Sequence, residues 1–246
     1  IPYHKDSCMG IGGRSSHKGI TFATGTVRVY ARENPVGDYA RAVPKTQSVL
    51  TKKLSKLPFL RGLTLFFQPG MWIILVLLAV NDALTISGVD TGGDVDLWLL
   101  AAFAALLAVL IITRRGSLAA ARRYHAAEHM ALNTLEAGKP LTAENVAAAP
   151  RTHPRCGTSL VVLLLPLAVP AVIFCPYGLC LLPVVCLAYE LFLLLPKVRW
   201  LKPLYKAGLW AQQHITTASP GEKEIEAAAR GLKKLAEETI KESVPV

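Results

Sequence analysis

The stretch of sequence that decides the predicted fold is SLVVLLLPLAVPAVIFCPYGLCLLPVVCLAYELFLLL, residues 159–195, whose one charged residue is Glu190. A transmembrane helix needs about 17 to 25 apolar residues, because roughly 30 Å of hydrocarbon must be crossed. Pro176 and Tyr177 divide the stretch into two segments near that length, about 159–175 and 178–195. The pattern predicts a tight pair of membrane helices. Since each segment is at the short limit, a re-entrant pair is the alternative to two full spans.

Two further apolar segments lie upstream of this stretch. The first covers about 63–84 and is interrupted by polar residues and a proline, whereas the second covers 97–113 and contains no charge. With these included, the predicted fold class is a mainly α integral membrane protein with about four transmembrane helices, a small N-terminal β-containing segment and cytoplasmic helices.

The distribution of basic residues sets the predicted topology. All 27 Lys and Arg residues lie outside the four apolar segments. The charged residues of the connection 81–96 are all acidic. Basic residues near the ends of spans stay on the cytoplasmic side. We therefore expect both termini and the central loop 114–158 to be cytoplasmic, in a multi-pass membrane protein.

Composition excludes several classes of protein. Of the 246 residues, 52% are hydrophobic and 18% are charged, which excludes disordered and collagen-like chains. The five cysteines are too few for a disulfide scaffold. Cys175, Cys180 and Cys186 are interpreted as packing residues of a protein in a reducing compartment. The net charge of +10 is spread over three segments beside the predicted spans, which predicts a lipid bilayer as partner and no nucleic acid.

Three regions are predicted along the chain. Residues 1–57 form an N-terminal cytoplasmic segment with short strands. Residues 58–196 form the membrane domain with its four spans and the central loop. Residues 197–246 form a tail in which an interfacial segment, rich in Trp, Lys and Arg, precedes an amphipathic helix.

Local patterns place secondary structure in the polar regions. Residues 26–32 alternate between polar and apolar side chains, and this alternation predicts one or two short strands between residues 10 and 32. Residues 117–137 are rich in alanine and end at Gly138, a pattern that predicts a helix with a stop signal. Residues 222–242 carry an apolar stripe at helical spacing and predict the amphipathic helix.

The predicted helix 117–137 contains the motif His-x-x-Glu-His, formed by His125, Glu128 and His129. At about 100° and 1.5 Å per residue, the two imidazoles lie about 40° apart around the helix and about 6 Å apart along it. Two imidazoles placed in this way can bind one divalent cation, and Glu128 reaches the same end of the face. This arrangement is typical of metallopeptidases in which the glutamate is the general base, so Glu128 is the predicted catalytic residue.

A third metal ligand is expected from the run THPRCGTS, residues 152–159, at the end of the central loop. His153 and Cys156 are both good zinc ligands, and a catalytic zinc has three protein ligands and one open position. Cys156 has two other interpretations, as an acylated juxtamembrane cysteine or as a nucleophile with His153 as its base.

Three further polar residues are predicted to act around the site or within the membrane domain. Glu136 lies about 10 Å along the helix from His129, which is too far for a shared ion, so an indirect role is expected. Arg155 is expected at the lipid headgroups. Glu190 lies at membrane depth, where a carboxylate is costly and faces a polar interior unless it extends towards Lys197.

These motifs resemble the YqhQ-like family of bacterial multi-pass membrane proteins, which is described as a domain of unknown function and as predicted metal-dependent enzymes. The matching runs are PFLRG from Pro58, YHAAEH from Tyr124, LEAG from Leu135, LTAENV from Leu141, HPRCGTS from His153, Tyr189-Glu190, and Gly208-Leu209-Trp210 with Thr216-Thr217. The resemblance covers about 58–240. It implies a location in the bacterial inner membrane and a metal, without naming a substrate. Ala126 and Met130 depart from the family pattern, in which Gly and Lys are usual, and neither change removes a ligand.

The first hypothesis is a metal-dependent enzyme, a zinc hydrolase and by analogy a peptidase, with a site that faces the cytoplasm and a membrane protein as substrate or partner. The alternative is a non-enzymatic membrane assembly or regulatory factor, in which the same residues form a closed structural metal site. Four protein ligands would indicate the structural site, and three with an open position would indicate the enzyme.

Overall fold

A computed structural model describes residues 11–34, 37–42, 53–54, 56–67, 71–87, 105, 108–109, 111–175 and 178–243. The chain divides into two compact units. The first unit takes the described parts of 1–45, 110–153 and 212–246, and the second takes those of 46–109 and 154–211.

The helices are numbered in chain order. They are α1 Met71–Ile86, α2 Arg115–Glu136, α3 Ala143–Ala147, α4 Gly157–Phe174, α5 Leu181–Leu194, α6 Lys202–Ala211 and α7 Glu222–Ser243. Short 3-10 helices occupy Leu60–Phe67, Gly178–Cys180 and Arg199–Leu201, and a π-helical turn occupies Gln212–Thr216.

The first unit contains a four-stranded antiparallel sheet whose strand order follows the chain. Its strands are β1 Gly12–Ser16, β2 Gly19–Ala23, β3 Val27–Ala31 and β4 Tyr39–Ala42. The predicted alternation in β3 is confirmed, because Val27, Val29 and Ala31 are buried and Arg28 is exposed. The sequence predicts at most two strands before residue 32, whereas the structure has three there, since the short turns allow each strand to pair with the one before it.

One face of this sheet packs against α2 and α7. Phe22 and Val29 of the sheet are fully buried in a core that also contains Tyr124 of α2 and Leu232 and Leu235 of α7. Burial of such side chains contributes about 1.5–3 kcal/mol each to folding. The amphipathic helix predicted at 222–242 is therefore confirmed, and its apolar stripe covers the sheet.

The end of α2 follows its sequence signal. Gly138 adopts a φ of 68°, which an L side chain disfavours. Its N–H donates to the carbonyl of Leu135 at 2.9 Å, and the N–H of Lys139 donates to the carbonyl of Thr134 at 3.1 Å. This pattern satisfies two terminal carbonyls, so the predicted helix stop is confirmed.

The second unit is helical in its described part. Helix α4 packs against both α5 and α6, and α5 packs against the 3-10 helix Leu60–Phe67. Leu163, Leu195 and Leu201 form its buried apolar cluster.

Asp82, which interrupts the first predicted span, has a structural role in this unit. It is buried, and its carboxylate accepts hydrogen bonds from the N–H groups of Gly178 and Leu179, the second at 3.0 Å. A carboxylate in this position stabilises the start of the short helical turn before α5.

The prediction of four transmembrane helices is wrong. Within the described residues, no single helix has both the length and the apolar composition needed to span a bilayer. Two helical segments, Gly178–Leu194 and Arg199–Thr216, pass that test only as a pair, and they are bent by 107° at the break between them. The apolar helical segment Gly157–Ala171 is too short.

The physical reason lies in how the apolar segments are divided. The first predicted span is split into a 3-10 helix and α1, whose 16 residues extend about 24 Å at 1.5 Å per residue. The fourth is split into a 3-10 turn and α5, which has 14 residues. The second predicted span, 97–113, lies largely outside the described residues.

Two of the cysteines differ from their predicted role. Cys175 and Cys180 form a disulfide bond, with their Cα atoms 6.6 Å apart. Their interpretation as packing residues is wrong, because the turn between α4 and α5 brings the two side chains together. Cys186 is a buried free cysteine, as predicted.

Candidate metal centre

The centre of the candidate site is a pair of imidazoles one turn apart on α2. The ring centroids of His125 and His129 are 4.4 Å apart. A ring nitrogen of one lies within 4.8 Å of a ring nitrogen of the other. His129 is only 2% exposed and His125 is half-buried, so the pair lies at the edge of the core of the first unit.

Backbone carbonyls set the tautomer of both rings. The Nδ1–H of His125 donates to the carbonyl of Thr216 at 3.1 Å, and that of His129 donates to the carbonyl of Arg151 at 2.7 Å. A carbonyl oxygen can only accept, so in each neutral ring Nε2 carries the lone pair. This is the tautomer that metal-binding histidines use when a backbone carbonyl orients them.

Glu128 lies beside the pair and faces the sheet. Its carboxyl group is buried, and Oε2 has no hydrogen-bond partner among the described residues. Burial raises the pKa of the Glu128 carboxyl to about 7, while the neighbouring side chains of His125 and Ser15 act in the opposite direction. A buried, unpartnered carboxylate oxygen costs about 1–3 kcal/mol or more, which is typical of a group kept for chemistry or for an absent ligand.

His153 belongs to the same unit and lies next to His129, with ring centroids 5.8 Å apart. Its Nε2 is 3.2 Å from Oε1 of Glu136. The structure therefore brings His153 close to the pair, and it places Glu136 against His153.

The backbone of His153 is held by Gln212, a residue to which the sequence assigns no role. Gln212 is fully buried in the π-helical turn, and such turns are frequent at functional sites. Arg122 of α2 donates to the carbonyls of His214 and Thr217, which ties this turn to the helix that carries the pair. The segment thus supports both His125, through Thr216, and His153. Only the Thr-Thr pair at 216–217, one of the runs matched in the resemblance, pointed to it.

The remaining predicted residues lie in the second unit. Cys156 is buried and caps α4, where its Sγ accepts from the N–H of Thr158 at 3.4 Å. Arg155 is exposed. Glu190 binds Arg61, whose Nε donates to Oε1 at 2.6 Å, and it also accepts from the N–H of Phe59. The partner of Glu190 is thus Arg61 and not Lys197.

The hydrogen bond from Arg61 lowers the pKa of the Glu190 carboxyl, and this effect outweighs burial, which raises it. Glu190 therefore carries its negative charge at neutral pH in an ion pair within the second unit.

The donor set fits a divalent cation such as Zn²⁺. Two imidazoles with Nε2 lone pairs, at helical positions i and i+4, are zinc ligands of ordinary type. Glu128, the residue before His129, has an unpartnered Oε2 and supplies a carboxylate that can accept a proton.

Comparison with known proteins places the chain in a family. A family model described as "Protein of unknown function (DUF1385)" matches residues 57–238. The "Uncharacterized protein YqhQ" of Bacillus subtilis (strain 168) is 32% identical over 126 residues, which cover 46% of this chain. The match spans only 39% of the length of that relative. No solved structure matches the chain. The predicted YqhQ-like resemblance is confirmed, and the chain belongs to the family of proteins of unknown function described as DUF1385.

Proposed function

We propose that this chain is a metal-dependent hydrolase in which His125 and His129 hold a divalent cation, most simply Zn²⁺, and Glu128 is the general base. The observation that carries the proposal is the joint geometry on α2. Both imidazoles donate Nδ1–H to backbone carbonyls, and a buried carboxylate with one unpartnered oxygen lies beside them.

The two histidines act as ligands through Nε2. The carbonyls of Thr216 and Arg151 hold the rings in this tautomer and orientation. The two imidazoles therefore lose little conformational freedom when a cation binds. His153, which lies beside His129 in the same unit, is the candidate for the third ligand.

A divalent cation at this position supplies Lewis acidity for hydrolysis of an acyl bond. Glu128 accepts a proton at Oε2 from the attacking water as the oxygen of that water bonds to the acyl carbon. The same carboxyl group then returns the proton to the leaving group as the acyl bond breaks. By analogy with other enzymes that carry this motif on a helix, the proposed substrate is a peptide.

The test is metal content and Zn²⁺ titration of the purified chain and its variants. Wild type is expected to hold about one equivalent of metal, and His125→Ala and His129→Ala to lose it. Glu128→Gln is expected to keep the metal and to lose hydrolysis of a peptide library. His17→Ala, in an exposed turn of the first unit, is the matched histidine control and is expected to bind as wild type does.

Each outcome has a defined meaning. His153→Ala is expected to lower the affinity for Zn²⁺, and an unchanged affinity would remove His153 as the third ligand. Retention of hydrolysis by Glu128→Gln would remove Glu128 as the assigned base, whereas wild type that binds metal without any hydrolysis would favour a structural metal site. Wild type that neither purifies with metal nor binds added Zn²⁺ would overturn the proposal.

A further inference from the structure

The inference concerns strand β1, which lies against the carboxylate of Glu128. In the antiparallel pair with β2, Gly13 lies opposite Phe22 and Ser15 lies opposite Ile20. Directly paired residues share a face of the sheet, and both Phe22 and Ile20 are fully buried in the core. Gly13 and Ser15 therefore lie on the same face of the sheet as Phe22 and Ile20, with Gly13 exposed and Ser15 half-buried.

Glu128 occupies the space that an apolar side chain at residue 13 would fill. A Cβ atom added to Gly13 would lie 2.8 Å from Cγ of Glu128 and closer still to its Cδ and Oε1. Real Cβ atoms do not approach other heavy atoms so closely, so any other residue at this position would displace the carboxylate.

Ser15, two residues further along the strand, provides a polar contact. Its side chain makes a hydrogen bond with the Glu128 carboxyl. Oε2 has no partner within the described part of the chain. One strand thus supplies both the room for the carboxylate and one of its contacts.

We propose that Gly13 and Ser15 are positioning residues for Glu128, with β1 fixing the carboxylate so that Oε2 stays unpartnered. This inference rests on the proposed function, in which Glu128 moves a proton. It adds a sheet strand to a site whose sequence motif lies entirely on α2.

The experiment follows the carboxyl carbon of Glu128 by NMR, in protein labelled with ¹³C at glutamate Cδ. The signal is assigned by its loss in Glu128→Gln. In Gly13→Ala and Ser15→Ala the Glu128 signal is expected to shift, and Ser15→Thr, which keeps a hydroxyl, is expected to restore it towards wild type. Gly12→Ala is the matched control, because a Cβ there would meet nothing within 4 Å.

Zn²⁺ is added to the same samples as the probe of the site, with binding followed by calorimetry. Neither residue is a ligand, so Gly13→Ala and Ser15→Ala are expected to keep the wild-type stoichiometry. The change that Zn²⁺ causes in the Glu128 signal is expected to be reduced in both variants and unchanged in Gly12→Ala. A general folding defect would lower the Zn²⁺ stoichiometry as well, and would not leave it unchanged while the Glu128 signal responds less.

The outcomes distinguish the two proposals. If the Glu128 signal is the same in wild type, Gly13→Ala and Ser15→Ala while Zn²⁺ still binds, the role of β1 is overturned and the hydrolase proposal stands. If Zn²⁺ does not bind wild type, the proposed function falls, and with it the positioning role. Circular dichroism checks folding. Should Gly13→Ala not fold, Ser15→Ala decides, because it only removes a hydroxyl.

Discussion

The side chain of Gln212 forms hydrogen bonds with both the backbone N–H and the backbone carbonyl of His153. Its Oε1 accepts from the N–H of His153 at 2.8 Å, and its Nε2 donates to the carbonyl of His153 at 3.1 Å. Gln212 is fully buried and His153 is 4% exposed, so water does not replace these bonds.

We expect Gln212→Leu to destabilise the first unit. Each buried backbone group left without a partner costs about 1–3 kcal/mol, so a loss of roughly 2–6 kcal/mol in the free energy of unfolding is expected for the two groups. Urea denaturation measures it. Gln213→Leu changes an exposed neighbour and is expected to stay within about 0.5 kcal/mol of wild type. Equal losses in the two variants would contradict the role of this contact.

We expect Zn²⁺ to stabilise the chain against heat. A ligand that binds only the folded state at 100 times its Kd adds about 2.7 kcal/mol to the free energy of unfolding. The melting temperature of wild type is therefore expected to rise with added Zn²⁺ and to fall back with a chelator. His129→Ala should show neither change, whereas His17→Ala should show both. A rise of the same size in His129→Ala would place the bound cation elsewhere.

The ion pair between Arg61 and Glu190 predicts a pH dependence of stability. The hydrogen bond from Arg61 lowers the folded pKa of Glu190 below its ordinary value of 4.5. The stability that the pair contributes is thus fully present above pH 4.5 and is lost as the pH falls through the lower folded pKa.

The measurement is urea denaturation between pH 3 and pH 7. Wild type is expected to be more stable than Glu190→Gln at neutral pH, with the difference shrinking at the acidic end. Arg61→Gln should show the same loss, and the double variant should lose less than the sum of the two single variants. A difference that stays constant over the whole pH range would count against this pair as its source.

Two glycines in helices are expected to respond to alanine in opposite directions. A Cβ on Gly208 of α6 would lie 2.6 Å from Oγ of Ser159 in α4, so Gly208→Ala forces these helices apart and should cost about 1–3 kcal/mol. Gly116 of α2 has nothing within 4 Å, so Gly116→Ala should stabilise by up to about 1 kcal/mol through helix propensity. Both effects are read from denaturant unfolding, and effects of the same sign would contradict the packing of α6 on α4.

The failed prediction of spans shows the limit of apolar composition as a guide. Hydropathy measures how apolar a stretch is but not whether one helix runs through it, and here 3-10 turns divide the predicted first and fourth spans. Localisation in the bacterial inner membrane depends on those spans and stays a prediction, as does a lipid bilayer as partner.

Local interactions are what the sequence determined by itself. The bounds of α2 and α7, the stop at Gly138 and the alternation in β3 depend on residues within a few positions of each other. The pairing of His125 with His129 follows equally from the helical repeat, because positions i and i+4 share a face wherever the helix lies.

Contacts between distant parts of the chain were decided only by the tertiary structure. Glu128 against β1, Gln212 on the backbone of His153, and Arg61 on Glu190 join residues separated by tens of positions or more. The tautomers of the two histidines were also decided by tertiary structure, because the carbonyls that fix them belong to Arg151 and Thr216, far from the histidines in the chain. The physical reason is that helical spacing brings side chains to one face, but the partner that meets that face depends on how the elements pack.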